Sequence, residues 1–198
     1  MRALAAHGVE VSHGDVRALA GVDLVVGERE SIALIGRSGS GKTTLLHVLA
    51  GLVTPSAGAV ELDATTSLVF QGANLLPHFT ALENVLFAER DGADSERLLA
   101  LVGLEAKRDH LPRELSGGEA QRVAIARSLA QQPAVLLCDE PTGHLDTDTS
   151  ARVLDLIEAL RAGLGFSLVI ATHDPDVAAR CERLVALHDG VIVEESTR

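Results

Sequence analysis

Near the start of the chain, hydrophobic and polar positions alternate. Leu4 to Val11 and Val22 to Val26 each repeat about every two residues, and His13-Gly14-Asp15 lies between them as a turn. A repeat of about two puts successive side chains on opposite faces, so each stretch is predicted as a half-buried strand. Ser31 to Ile35 is instead a solid apolar run closed by Gly36, and Val135 to Cys138 and Phe166 to Ala171 have the same character. Runs of that kind suit strands buried on both faces of a parallel sheet. Val60 with Leu62, and Leu68 to Phe70, read as shorter strands. Helical patterns fill the spaces between. Thr43 to Ala50 is stopped by Gly51, Ser95 to Val102 by Gly103, and Gly118 to Ala130 halts ahead of Pro133. Glycine just past a helix end is a common stop signal. Thr80-Ala81-Leu82-Glu83 has the form of a capping box and predicts a helix through about Glu89. Thr149 to Ala162 carries Val153, Ile157 and Leu160 on one stripe. Finally, Leu184 to Leu187 and Val191 to Val193 flank Asp189-Gly190, the dipeptide of a primed hairpin turn. Buried strands alternating with helices predict an α/β core around a parallel sheet, with antiparallel strands added at the N-terminal end.

Composition narrows the picture. A chain of 198 residues is the size of one domain and buries a full core without disulfides or a metal. No linker, repeat or low-complexity segment interrupts it. The net charge of −11, without a basic run, argues against non-specific nucleic-acid binding. Four Phe and no Tyr or Trp argue against a base-stacking platform or an aromatic cage. The mean hydropathy of +0.22 is high for a soluble chain, yet no apolar stretch approaches the roughly 20 residues of a membrane span. The N-terminus has no signal-peptide core. Cys138 and Cys181 are far apart in sequence and match no metal or redox spacing. A reduced, cytoplasmic single domain is expected.

The strongest chemical signal is Gly36-Arg37-Ser38-Gly39-Ser40-Gly41-Lys42-Thr43, directly after a predicted strand and directly before a predicted helix. That is the context a phosphate loop requires. Glycines let the backbone curl so that several N–H groups face one concavity, and the helix N-terminus adds positive potential there. Lys42 would reach the outer phosphates of a nucleoside triphosphate, and the Thr43 hydroxyl would ligate Mg²⁺. Further on, the strand from Ala134 to Cys138 ends in Asp139-Glu140. Two acids at a strand end would on their own be merely solvated. With a phosphate loop upstream, Asp139 sits where such folds hold Mg²⁺, and Glu140 is placed to take a proton from attacking water. Leu115-Ser116-Gly117-Gly118-Glu119 opens another helix, and its free N–H groups form a second anion site.

These motifs, in this order, resemble the ATP-binding subunit of ABC transporters over nearly the whole chain. Leu115 to Glu119 matches the family signature, Val135 to Glu140 the Walker B strand with its catalytic glutamate, Gln71 the glutamine loop, Gly143 to Asp146 the loop after the acidic strand, and His173 the switch histidine. Val69 to Pro77, Thr80 to Val85 and Asp139 to Asp146 look like the lipoprotein-release, macrolide-export and cell-division branch. The resemblance implies a single ATP-binding domain over 1–198, with a phosphate-loop core sheet, a trimmed antiparallel β-subdomain and a helical signature subdomain inserted at about 72–130. It implies that His13, Gly36, Arg37, Ser38, Gly39, Ser40, Gly41, Lys42, Thr43 and Thr44 bind ATP. It further implies that Thr43 and Gln71 ligate Mg²⁺ with Asp139 behind, that Glu140 polarises the attacking water, and that His173 contacts the γ-phosphate. Ser116, Gly117 and Gly118 would meet the ATP held by a second copy in a head-to-tail, ATP-dependent dimer, and Asp146 would lie at that interface.

Two departures stand out. His13 holds the place where the family stacks adenine on an aromatic ring, and the stretch from Lys42 to Gln71 is short. His144 also replaces a small or amide residue. Leu75, Leu76 and Phe79 read either as core or as a groove for a membrane subunit. Two functions remain open. In one, the chain is a transport ATPase driving a separate transmembrane permease from the inner face of the membrane. In the other, it is a regulatory module of the cell-division type that moves no solute. A soluble ATPase of translation or DNA repair is disfavoured by the single domain and the acidic charge.

Overall fold

A computed structural model describes residues 2–61 and 65–197. In chain order the elements are β1 (Arg2–His13), β2 (Val16–Gly27), β3 (Ser31–Ile35), α1 (Lys42–Leu49), β4 (Ala57–Glu61), β5 (Thr66–Val69), α2 (Ala81–Leu86) and α3 (Ser95–Leu101). They continue with α4 (Gly117–Leu129), β6 (Val135–Asp139), α5 (Thr147–Leu164), β7 (Ser167–Thr172), α6 (Pro175–Ala178), β8 (Arg183–His188) and β9 (Val191–Thr197). Leu62, read with Val60 as a strand, lies outside the described residues.

The chain forms two compact units. The first comprises Met1–Leu68, Ala134–Glu140 and Phe166–Arg198. Its main sheet has the order β5-β6-β7-β3-β8-β9. β6, β7, β3 and β8 run parallel, and β9 returns antiparallel to β8. Every residue of β6 and β7 is buried, as their unbroken apolar runs predicted. Asp189 and Gly190 have φ of 47° and 77°, the two positive angles of a primed turn. That turn is wired to distant segments. Gly190 donates its N–H to the carbonyl of Ser40 at 3.0 Å and accepts the N–H of Ala20 at 2.9 Å.

A second sheet of this unit is antiparallel, in the order β2-β1-β4. β1 and β2 each extend over 12 residues, beyond the stretches where alternation is visible. The reason is in the register, which shifts between Ala6 and Val9, at Val9/Glu10 and again between Val11 and Ser12. Each bulge resets which face a side chain takes, so the sequence loses its simple repeat while the strand continues.

The second unit comprises Val69–Pro133 and Pro141–Gly165 and holds α2 to α5. The capping box at α2 is formed. Thr80 Oγ1 accepts the Glu83 N–H at 3.2 Å, and the Thr80 N–H donates to Glu83 Oε2 at 2.7 Å. α2 ends at Leu86, earlier than the expected Glu89, because the N–H groups of Ala88 and Glu89 bond back only three residues, to Val85 and Leu86. Such tightened bonds close an α-helix. α5 runs from an Asp146 N-cap to Gly165 at φ 80°, and Val153, Ile157 and Leu160 are buried as their spacing predicted.

Candidate functional site

In the sheet unit, the loop from Gly36 to Gly41 joins the carboxyl end of β3 to α1. A Cβ on Gly41 would lie 2.6 Å from the Ala18 carbonyl oxygen, so only glycine fits there. Gly41 caps α1 without a side-chain hydrogen bond. The first N–H groups of the helix are thereby left for an outside acceptor. Lys42 is 7% exposed, and its ammonium folds back to donate to the carbonyls of Gly36 at 2.7 Å and Arg37 at 3.1 Å. Ser40 is buried, and its Oγ makes no hydrogen bond. Arg37, Ser38, Gly39 and Thr43 are exposed on the rim, with Thr44 half-buried.

Parallel registry delivers the acids to the same edge. Asp139 closes β6 opposite Ala171, while Ile35 closes β3 opposite Thr172, so the carboxyl ends of three neighbouring strands are level. Ligands of open α/β sheets bind at such an edge. Asp139 is 5% exposed. Burial pushes its carboxyl above the usual aspartate value. A hydrogen bond from Thr43 opposes that rise, neighbouring Glu140 adds to it, and His47 and Lys42 counter it. Beyond β6 the chain turns sharply at Glu140, with φ of 43° and its N–H bonded to the Ala171 carbonyl at 2.9 Å. The turn points Glu140 toward His173, just past β7, and Nδ1 of His173 lies 2.9 Å from Oε1 of Glu140. The unit thus gathers Gly36 to Thr44, Asp139, Glu140 and His173. His13 ends β1 in the same unit, exposed and paired in register with Val16, which is 67% exposed. Cys138 and Cys181 are buried and form no disulfide. Though distant in sequence, they are near enough that Cys181 adds to the burial that raises the Cys138 thiol.

The other candidates lie in the helical unit. Gln71 is exposed just past β5. Ser116 caps α4. Its Oγ accepts the Glu119 N–H at 3.3 Å, and its own N–H donates to Glu119 Oε2 at 2.8 Å, which holds the Glu119 carboxyl below the usual range. A Cβ on Gly118 would sit 2.4 Å from Cγ2 of Thr149. The start of α4 therefore packs directly on the start of α5, where Asp146 accepts the Thr149 N–H at 2.9 Å. His144 is exposed nearby in sequence. Leu75 and Leu76 are half-buried, whereas Phe79, Leu86 and Phe87 are exposed. The rings of Phe79 and Phe87 meet edge to face at 5.8 Å. Three residues that the motifs did not single out also matter here. Thr149 walls Gly118, and Asn84 and Arg127 grip the backbone after Gln71. Asn84 is polar at a core-facing helix position, the one signal that could have been read.

The donors suit a hard cation. A buried carboxylate bonded to the Thr43 hydroxyl offers oxygen ligands only. Among the described residues no cluster of three or more His, Cys, Asp or Glu could hold a metal by itself. Mg²⁺ is commonly bound in that sparse way, by one or two protein groups with phosphates and water completing the shell.

A phosphate loop at the carboxyl edge of a parallel sheet, with an acidic strand end beside it, defines a phosphate-loop nucleoside triphosphatase. A profile of the ABC transporter family matches residues 19–143. The lipoprotein-releasing system ATP-binding protein LolD of Ruegeria pomeroyi is 44% identical over 208 residues, spanning 92% of this chain and 91% of that one. The macrolide export ATP-binding/permease protein MacB of Rhodopirellula baltica is 41% identical over 93% of this chain, which covers 31% of that longer protein. Among solved structures, the dimeric post-hydrolysis state of the ATP-binding cassette MJ0796, bound to ADP and Pi, superposes with a TM-score of 0.86. It is 33% identical and matches over 98% of both chains. The chain belongs to the ABC transporter family, as one of its ATP-binding, ATP-hydrolysing cassettes. No helix among the described residues is long and apolar enough to cross a membrane.

Proposed function

We propose that the chain powers a lipoprotein-release type transporter, hydrolysing Mg-ATP between two copies of itself and driving a separate transmembrane subunit from the inner membrane face. The likeness to the lipoprotein-releasing ATP-binding protein over nine-tenths of both chains supports this branch over a purely regulatory role. The observation that carries the chemistry is the Glu140–His173 contact of 2.9 Å, beside the phosphate loop.

In this reading the triphosphate enters the loop from Gly36 to Thr44, and Lys42 exchanges its two carbonyl partners for phosphate oxygens. That swap replaces neutral acceptors by charged ones, the stronger kind of hydrogen bond. Asp139 orients the Thr43 hydroxyl, and Thr43, Asp139 and Gln71 would hold the metal. When bound, Mg²⁺ neutralises charge on the outer phosphates. Glu140 accepts the proton of the attacking water, and His173 fixes the Glu140 carboxylate and contacts the γ-phosphate. His13, with exposed Val16, receives the adenine. Ser116, Gly117 and Gly118 of the second copy close on the γ-phosphate, and Asp146 lines that junction. The whole chain serves as one ATP-binding domain. The apolar patch of Phe79, Leu86 and Phe87 supports docking of the transmembrane subunit, since a water-facing aromatic pair needs a cover.

The test is Glu140→Gln. Hydrolysis should fall about a hundredfold or more, and the variant should elute as a dimer on gel filtration only when ATP is present. A monomer at saturating Mg-ATP would sink the shared-nucleotide reading.

A further inference from the structure

The phosphate loop rests on two segments of its own unit, and the contact is backbone against backbone. One segment is β2 at Ala18 to Ala20, the other the turn between β8 and β9. Gly190, in that turn, donates its N–H to the Ser40 carbonyl at 3.0 Å, and its own carbonyl accepts the Ala20 N–H at 2.9 Å. The fit leaves no room for a side chain. A Cβ on Gly190 would lie 2.7 Å from the Ala18 carbonyl oxygen. One on Gly41 would lie 2.6 Å from the same oxygen and would also touch Cα of Gly190 at 3.6 Å. Inside the loop, the Ser40 N–H reaches back to the Arg37 carbonyl at 3.1 Å. That bond fixes the peptide before Ser40 and not the one after it.

The peptide that matters joins Ser40 to Gly41. A trans peptide is planar, with its C=O and N–H pointing in opposite directions. Holding the Ser40 carbonyl against the turn therefore aims the Gly41 N–H away from the turn. A half-rotation of this peptide would exchange the two, putting a carbonyl oxygen where the N–H had been. Such a rotation reverses φ of the following residue, and glycine accepts both signs. Gly41 has φ of 105°, so the reversed angle lies in the ordinary negative range. The loop's own residues do not prevent the flip, whereas the bond from Gly190 does. Lys42 bonds the Gly36 and Arg37 carbonyls, neither of which belongs to this peptide. For an anion, the two orientations are a donor against an acceptor at the same spot.

We infer that Gly190 is a positioning residue for nucleotide binding: its N–H locks the Ser40–Gly41 peptide in the orientation that presents the Gly41 N–H to phosphate. The inference rests on the reading of Gly36 to Thr44 as the triphosphate cradle, and adds to that cradle a group from far along the chain. In this role Gly190 needs no contact with the nucleotide. It acts before binding, by keeping the receptive form of the loop populated. Once a phosphate is seated, its oxygens hold the Gly41 N–H and the lock is no longer needed.

Gly190→Asn keeps a residue that tolerates positive φ but wedges a Cβ against the Ala18 carbonyl, lifting the turn off Ser40. Ala20→Pro is the second variant, should the first not fold. It removes the N–H that pins the Gly190 carbonyl. That N–H points away from β1, so no bond of the β1–β2 ladder is lost. In the full-length chain, each variant should raise the KM for Mg-ATP about tenfold, the factor expected when the receptive form falls to about a tenth of the population. Titration with the fluorescent analogue MANT-ATP should weaken by the same factor. The kcat at saturating Mg-ATP should stay within about twofold of the unmodified chain. A loosened fold gives the opposite split: fewer active molecules, hence a lower kcat at an unmoved KM. That result overturns the inference, as does an unmoved KM with full activity. Lys42→Ala tests the cradle separately. If it weakens MANT-ATP binding while Gly190→Asn and Ala20→Pro bind like the unmodified chain, the lock fails and the cradle stands. If Lys42→Ala binds MANT-ATP undiminished, the cradle reading fails and the inference falls with it.

Discussion

The two units place their candidate residues by different means. In the sheet unit, position comes from the main chain: β3, β6 and β7 are in parallel register, and Gly36, Asp139 and His173 stand where those strands stop. In the helical unit it comes from side chains bonded to backbone. Ser116 and Asp146 cap helices, while Asn84 and Arg127 fasten a loop. A buried strand register shifts only in whole residue steps that exchange the two faces of every side chain, and here both faces are packed. A clamped loop shifts when one side chain lets go. The sheet unit is therefore built to hold a fixed geometry, and the helical unit to change its own.

Stability measurements can break or sharpen that contrast. The largest effect is expected at Asn84. Asn84→Ala leaves part-buried backbone groups at Leu76, Phe79 and Thr80 without their partner, and unfolding free energy should drop by about 3 kcal/mol. A denaturant midpoint unchanged from the unmodified chain would show that the loop does not depend on its clamp. Next is Gly118→Ala, where the new methyl meets Thr149 and should cost about 2 kcal/mol. Thr149→Ser removes the obstructing carbon, so the double variant should recover most of that loss. A strictly additive cycle would deny the contact between the starts of α4 and α5. The smallest effect has the opposite sign. Asp139 is buried at the strand end, with its carboxyl raised by burial. A raised carboxyl pKa means the folded state loses stability as pH climbs from the ordinary aspartate value through the raised one. Asp139→Asn should lack that loss and gain about 1 kcal/mol near neutral pH, while its ATPase collapses. A destabilised Asn variant in thermal scans at neutral pH would mean the carboxylate holds the sheet edge together.

How much was legible follows the same divide. The phosphate loop and Asp139-Glu140 could be read because each sits at the end of an apolar run long enough to mark a buried strand. The primed turn at Asp189-Gly190 was equally plain, since few dipeptides accept two positive φ angles. The pairing of Glu140 with His173 was not readable from the residues. It needs the β6–β7 register and the turn at Glu140, and only the family resemblance named His173. The ends of β1 and β2 were hidden by bulges, and the end of α2 by a change to shorter bonds that leaves no mark on composition. Arg127 was invisible because its partners are carbonyls, which every residue carries. The packing of α5 against α4 was likewise hidden, because it brings the Thr149 side chain onto the bare backbone of Gly118, far away in sequence.

The bonds from Gly190 to Ser40 and Ala20 have a consequence for synthesis. Translation is directional, so the phosphate loop leaves the ribosome long before the hairpin that braces it. At about 5–20 residues per second, the nascent loop waits on the order of ten seconds for its support, with β3 still lacking both flanking strands, β7 and β8. During that interval the nucleotide pocket is an unfinished surface. Ribosomes stalled before β8 should therefore carry nascent chains that fail to retain ATP, while chains released after β9 do.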